Sequence, residues 1–179
     1  MIVRAASDAD VAAIAAIYGH HVLHSTGTFE ETPPSEDEIA ARVGAVRALN
    51  LPYLVSEGDD GQITGFAYAS AFRPRPAYRY TAEDSVYIHP DHMGSGVGKA
   101  LVAEVIAACA ALGVRQMIAV IGDSANAGSI GLHRSLGFED AGVGRAFGFK
   151  FGRWVDVVWM QKALGAGADA PPAGRGLAL

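Results

Sequence analysis

Residues 94–98 read Gly-Ser-Gly-Val-Gly, immediately after the apolar run Val86-Tyr87-Ile88 and the turn His89-Pro90-Asp91-His92, and immediately before an apolar-periodic stretch. Glycine at every second position between a strand and a helix narrows what such a chain can be. Unconstrained glycines weaken a helix start by roughly 1 kcal/mol each. Their presence implies close approach of the backbone to a ligand, and the bare amides of a helix N-terminus favour phosphate. Two phosphate loops fail on spacing. A Walker loop ending at Gly98-Lys99 needs Gly at 93 and Ser or Thr at 100, where Met93 and Ala100 stand. A dinucleotide fingerprint starting at Gly94 needs a small residue where Lys99 stands, and it follows the first strand of a parallel unit. A pyrophosphate loop of another kind remains.

The pattern around this loop predicts a single α/β domain over 1–164. Ile2-Val3 reads as an edge strand. Ser7 with Asp10 forms a weak capping box before a helix bearing Val11, Ile14, Ile17 and Tyr18, and Ser35 with Glu38 opens a second helix to about Leu49. The polar loop between them, 25–34, contains Phe29. Tyr53-Leu54-Val55 and Ile63 to Tyr68 form an antiparallel hairpin around Asp59-Asp60-Gly61. An irregular loop rich in Arg, Pro and Tyr spans 72–81. After the glycines, Leu101, Val102, Val105, Ile106 and Leu112 mark a third helix ending at Gly113. A strand over Met117–Ile121, a fourth helix from Asn126 to about Leu136 and a largely buried strand over Trp154–Met160 complete the order. The segment 165–179, mostly Gly, Ala and Pro, is expected to be a disordered tail.

The chain has 179 residues, half of them hydrophobic, and a net charge of −5. That balance speaks against nucleic-acid or anionic-membrane partners, which need a basic surface. The single cysteine, Cys109, excludes an intrachain disulfide and a four-cysteine zinc site. Among His20, His21 and His24, His20 and His24 lie one helical turn apart, but no acidic or cysteine cluster accompanies the three, so they read as helix-end histidines and no metal is expected. No run has signal-peptide or transmembrane length, and a cytoplasmic protein is expected.

Met93-Gly94-Ser95-Gly96-Val97-Gly98 resembles the coenzyme A loop of the GNAT acetyltransferases, Gln/Arg-x-x-Gly-x-Gly/Ala, with Met93 replacing the usual Gln or Arg. The run from Asn126 to Gly137-Phe138 resembles the family's following helix, which often has Tyr where His133 stands. Three further segments are similar to the phosphinothricin and methionine sulfoximine N-acetyltransferases: Thr28-Phe29-Glu30, Thr81 to Tyr87, and Lys150-Phe151-Gly152-Arg153-Trp154-Val155-Asp156. No generic structural role is evident for the last of these. The resemblance implies a mixed, mostly antiparallel sheet flanked by helices. It also implies acetyl transfer from acetyl-CoA to the amino group of a small amino-acid-like substrate, and a homodimer.

The same resemblance implies the site. Val86, Tyr87, Ile88, Met93, Gly94, Ser95, Gly96, Val97, Gly98, Lys99, Asn126 and Ser129 would bind the coenzyme, with the N–H groups of Tyr87 and Ile88 polarising the thioester oxygen. A protonated amine needs a base, for which Glu83, just before the strand, is the candidate. His133 would protonate the leaving thiolate or relay the amine proton. Arg73 and Arg75 would grip an acidic group of the substrate, with Phe29, Tyr78 and Tyr87 as pocket walls. Two other readings stand at this point: a GNAT enzyme acting on a protein N-terminus or other amine, and a non-catalytic module that binds acyl-CoA.

Overall fold

The computed structural model describes residues 1–179. Seven strands form one sheet in the order β1-β2-β3-β4-β5-β7-β6. The strands are β1 (Ile2–Ala5), β2 (Tyr53–Glu57), β3 (Ile63–Ala71), β4 (Thr81–Ile88), β5 (Gln116–Gly122), β6 (Glu139–Lys150) and β7 (Arg153–Ala163). Only β4 and β5 run parallel; every other neighbouring pair is antiparallel. The helices are α1 (Val11–His24), α2 (Glu36–Ala48), α3 (Val97–Ala111) and α4 (Ala127–Ser135).

Alternation on β3 explains the layering. One face carries the small residues Gly65, Ala67 and Ala69, and Gly65 lies against Val97 at the start of α3. The other carries Phe66 and Tyr68, which stack with Tyr53 and, through Phe66, with Tyr87 opposite Tyr18 of α1. Successive strand side chains point to opposite faces, so α3 packs where the residues are small and α1 and α2 where they are aromatic. Ile14, Val43, Phe66, Leu101, Val105 and Met117 are sealed in the resulting core. Each such side chain contributes roughly 1.5–3 kcal/mol by leaving water.

The caps explain two helix starts. Ser35 Oγ accepts from the N–H of Glu38, as its box predicts. Asp10 accepts from the N–H and hydroxyl of Ser7, but a single 3₁₀ turn over Asp8–Asp10 precedes α1.

The structure departs from the sequence reading at four places. β4 begins at Thr81, so Glu83 lies inside the strand rather than before it. β6 was not predicted. It is a sheet edge, mostly exposed and interrupted by two register shifts, which erases the alternation that marks a half-buried strand. β7 is buried at Val155, Val157, Val158 and Met160, but Trp154 is 65% exposed. Segment 165–179 has packing partners: Leu177 is 7% exposed and its N–H donates to Arg79 O at 2.8 Å.

Candidate active site

The parallel pair opens the site. β4 and β5 are hydrogen-bonded only over Thr81–Asp84 and Gln116–Ala119; beyond that they part, leaving Ser85–Ile88 and Val120–Gly122 as two unjoined walls. Between them lies a cavity of about 700 Å³ running from the glycine loop to α4 and the Ser25–Gly27 loop. Hydrogen-bond alternation decides which main-chain groups face it. His89 N–H donates to Thr64 O across the β3–β4 ladder, so the main chain of Tyr87 and Ser85 also points to β3. The main chain of Val86 and Ile88 therefore points into the cleft. Tyr80 O, of the same parity, accepts from Arg115 and Gln116 N–H on the β5 side, which agrees. The N–H of Tyr87 thus does not reach a cleft ligand; Val86 and Ile88 supply those groups, while the Tyr87 ring lines the wall. His21 Nε2 donates to Ile88 O at 2.8 Å, closing off that carbonyl.

At the cavity's far end, Gly94 and Gly96 have φ of +76° and +90°. Nothing crowds either Cα, so these glycines are required by backbone conformation, which L side chains rarely adopt. The N–H groups of Gly94, Gly96, Val97, Gly98 and Lys99 donate to no protein acceptor. Five free amides at a helix N-terminus beside a lysine fit a pyrophosphate. Met93, Gly94, Gly96, Gly98, Lys99, Asn126 and Ser129 line the cavity. Ser95 and Val97 do not: Ser95 Oγ donates to His92 O, and Val97 is buried against Gly65. Asn126 caps α4, its Oδ1 accepting from Ser129 N–H at 3.1 Å.

Inside the cleft, His133 and Asp84 form a sealed pair, with Nε2 and Oδ2 2.9 Å apart and side chains 3% and 1% exposed. His133 Nδ1 donates to Ser129 O at 2.8 Å, so the proton between Nε2 and Oδ2 belongs to the pair. Burial favours the neutral ring, but the hydrogen bond and charge of Asp84, with the Ser129 carbonyl, outweigh it and raise the His133 pKa. Asp84 was not singled out from the sequence. Its signal was parity: it shares a strand face with Ala82, Val86 and Ile88, where a carboxylate is out of place. Cys109 is fully buried, and burial followed by the charge of Asp84 pushes its thiol up to about 12, which disqualifies it as a nucleophile.

Glu83 is half-buried on the opposite face of β4, two residues from Ser85 and four from Tyr87, and paired in register with Ser70 and Ile118. Burial, then the charge of Asp84, raise its pKa, and Arg73 partly opposes them. A carboxylate poised above its ordinary range is the electrostatic profile of a base. Arg73, Arg75 and Tyr78 are exposed on the β3–β4 connection outside the cavity lining, Arg73 over the ring of Phe72 and Tyr78 edge-on to it. Phe29 lies just behind the lining, against Gly148 and near Gly122. The Lys150-to-Asp156 run has a structural role after all. Phe151 and Gly152, with φ of +53° and +72°, turn β6 into β7, and Phe151 and Arg153 line the cavity mouth. Arg153 pairs with Asp123 there, and Asp156 accepts from Ser124 Oγ and Ala146 N–H. His21 and His24, read as helix-end residues, also line the wall.

A sheet that parts at its one parallel pair beside a helix-capping glycine loop defines an acetyltransferase of the GNAT class, and the chain belongs to that family: residues 3–159 match the acetyltransferase (GNAT) domain. It is 52% identical over 170 residues to a phosphinothricin N-acetyltransferase of Alcaligenes faecalis, covering 95% of this chain and 86% of that one. It is 42% identical over 164 residues to an L-methionine sulfoximine/L-methionine sulfone acetyltransferase of Salmonella typhimurium, covering 92% and 95%. A phosphinothricin acetyltransferase from Sinorhizobium meliloti, solved with acetyl-CoA, superposes with a TM-score of 0.93 at 49% identity, covering 96% of this chain and 92% of that one.

Proposed function

We propose that the protein transfers the acetyl group of acetyl-CoA to the α-amino group of a small amino-acid analogue of the phosphinothricin, methionine sulfoximine or methionine sulfone kind. The observation that carries this reading is the cleft itself. One strand, β4, presents the free N–H groups of Val86 and Ile88 to the cavity and a carboxylate with a raised pKa, Glu83, on its other face. The close relatives named above support the substrate class.

In this reading acetyl-CoA supplies the acetyl thioester, held by the glycine-loop amides and Lys99. Glu83 takes a proton from the ammonium, directly or through water, freeing the lone pair for attack on the carbonyl carbon. The N–H groups of Val86 and Ile88 stabilise charge developing on oxygen. The carbon–sulfur bond breaks, the His133–Asp84 pair gives its proton to the departing thiolate, and the second proton of the attacking nitrogen, lost as the amide forms, restores that pair. Arg73 and Arg75 attract the acidic end of the acceptor. The reading extends to a cytoplasmic homodimer. The exposed side chains Val143, Phe147, Phe149 and Trp154 on the terminal hairpin are the apolar surface available to a second copy.

The test is thiol release from acetyl-CoA with phosphinothricin, methionine sulfoximine, methionine sulfone, ordinary amino acids and a short peptide. Release with one of the first three supports the reading. Faster release with the peptide, or coenzyme A binding with silence across the panel, rejects it.

A further inference from the structure

Lys150, at the end of β6, is 3% exposed, and its ammonium donates to the carbonyls of Ser25 and Thr28 at 2.8 Å each. The ring of Phe151 lies 4.9 Å from Nζ. These acceptors are main-chain oxygens, and Glu30 and Glu31 act on the charge only from farther away. A buried cation costs free energy unless its donors are filled. What this one holds is a turn whose carbonyls converge on it.

The same turn is clamped at two other points. A Cβ on Gly122 would sit 1.9 Å from Thr26 O, so the turn rests directly on the end of β5. A Cβ on Gly148 would fall 2.3 Å from the Phe29 ring, so the following residue rests on β6. Ser25, Thr26 and Gly27 line the cavity, and Thr28 Oγ1 lies 2.9 Å from Tyr18 Oη, whose ring meets Tyr87 edge-on. This wall belongs to the face of β4 that carries Glu83. The glycine loop makes no main-chain hydrogen bond to the turn.

We propose that Lys150 is a positioning residue for the acceptor amine: by tying the Ser25–Thr28 turn to the β6–β7 hairpin, it fixes the wall against which the amino-acid substrate is oriented. The inference rests on the acetyl-transfer reading. Lys150→Met leaves two converging carbonyls without a donor, and they turn toward water. Steady-state kinetics of this variant, with direct coenzyme A titration, tests the idea. The acceptor KM is expected to rise about tenfold or more, while the KM for acetyl-CoA and the coenzyme A affinity change less than about threefold. An unchanged acceptor KM, or equal shifts for both substrates, overturns the assignment. If Lys150→Met does not fold, Gly148→Ala, outside the cavity lining, pushes on Phe29 at the end of the same turn without touching the buried charge; the same split is expected, and its absence overturns the proposal. Silence of the wild type on every acceptor is failure of the acetyl-transfer reading, whereas equal shifts in an active enzyme are failure of this inference alone.

Discussion

His133 Nε2 lies 2.9 Å from Asp84 Oδ2 with both side chains sealed from solvent, so β4 and α4 are joined by one shared proton. The folded state raises the His133 pKa. The stability this contributes is therefore fully present below the unfolded value of about 6.5 and is lost as pH rises through the folded value. Asp84→Asn removes the charge that holds the proton and should cost about 3 kcal/mol or more in urea unfolding at pH 6. The gap from wild type should narrow above neutral pH. Equal stability of the two proteins at pH 6 would remove the pair from any structural role.

With Glu83 as the proposed base, its ionisation sets the acid limb of the rate. A base must be ionised, so kcat/KM should fall as pH drops through a pKa raised above the ordinary glutamate value by burial and by Asp84. Glu83→Gln should lower the rate at pH 7 roughly a hundredfold and abolish that limb. A loss under about threefold with the limb intact would assign the proton to another group.

Much of this was legible beforehand, and the reasons differ by residue. The small-large alternation of Gly65, Phe66, Ala67 and Tyr68 and the Ser35 cap are local, so sequence spacing revealed the elements they build. The glycine loop was legible because positive φ leaves few residue choices. β6 was not, since an exposed edge with glycines at 142, 144 and 148 has no burial pattern to read. The pairing of Asp84 with His133 spans 49 residues, and strand parity announced only half of it. The division of Val86 and Ile88 from Tyr87 depended on which neighbour each strand edge faces, and only the register supplies that.

Arg73 separates two roles. Its charge opposes burial and Asp84 in setting the Glu83 pKa, while its exposed guanidinium lies over the Phe72 ring, free for the proposed contact with an acidic acceptor. Arg73→Ala should move the acid limb of kcat/KM to higher pH and raise the KM of an acidic acceptor. Arg75→Ala should raise that KM and leave the limb in place. pH-rate profiles of both variants decide the matter: a limb that stays fixed in Arg73→Ala would mean that solvent screens the guanidinium from Glu83.

Leu177 ties the end of the chain to the loop that bears these arginines. It is 7% exposed, its N–H donates to Arg79 O at 2.8 Å, and Tyr80 Oη donates to Gly174 O at 2.6 Å. Arg115 holds the same strap farther back through Gly167 O and Ala170 O. A leucine isolated among Gly, Ala and Pro has no periodicity, so only its distant partners reveal its burial. Leu177→Ala should cost about 2 kcal/mol, the lower end for a buried leucine because the strap can close over the gap. If the strap also steadies the Phe72–Tyr80 connection, deleting residues 174–179 should raise the acceptor KM while leaving that for acetyl-CoA nearly unchanged. Thermal unfolding and kinetics of the two variants distinguish the effects. A truncated enzyme with wild-type KM values and wild-type Tm would show that the strap contributes neither stability nor loop order.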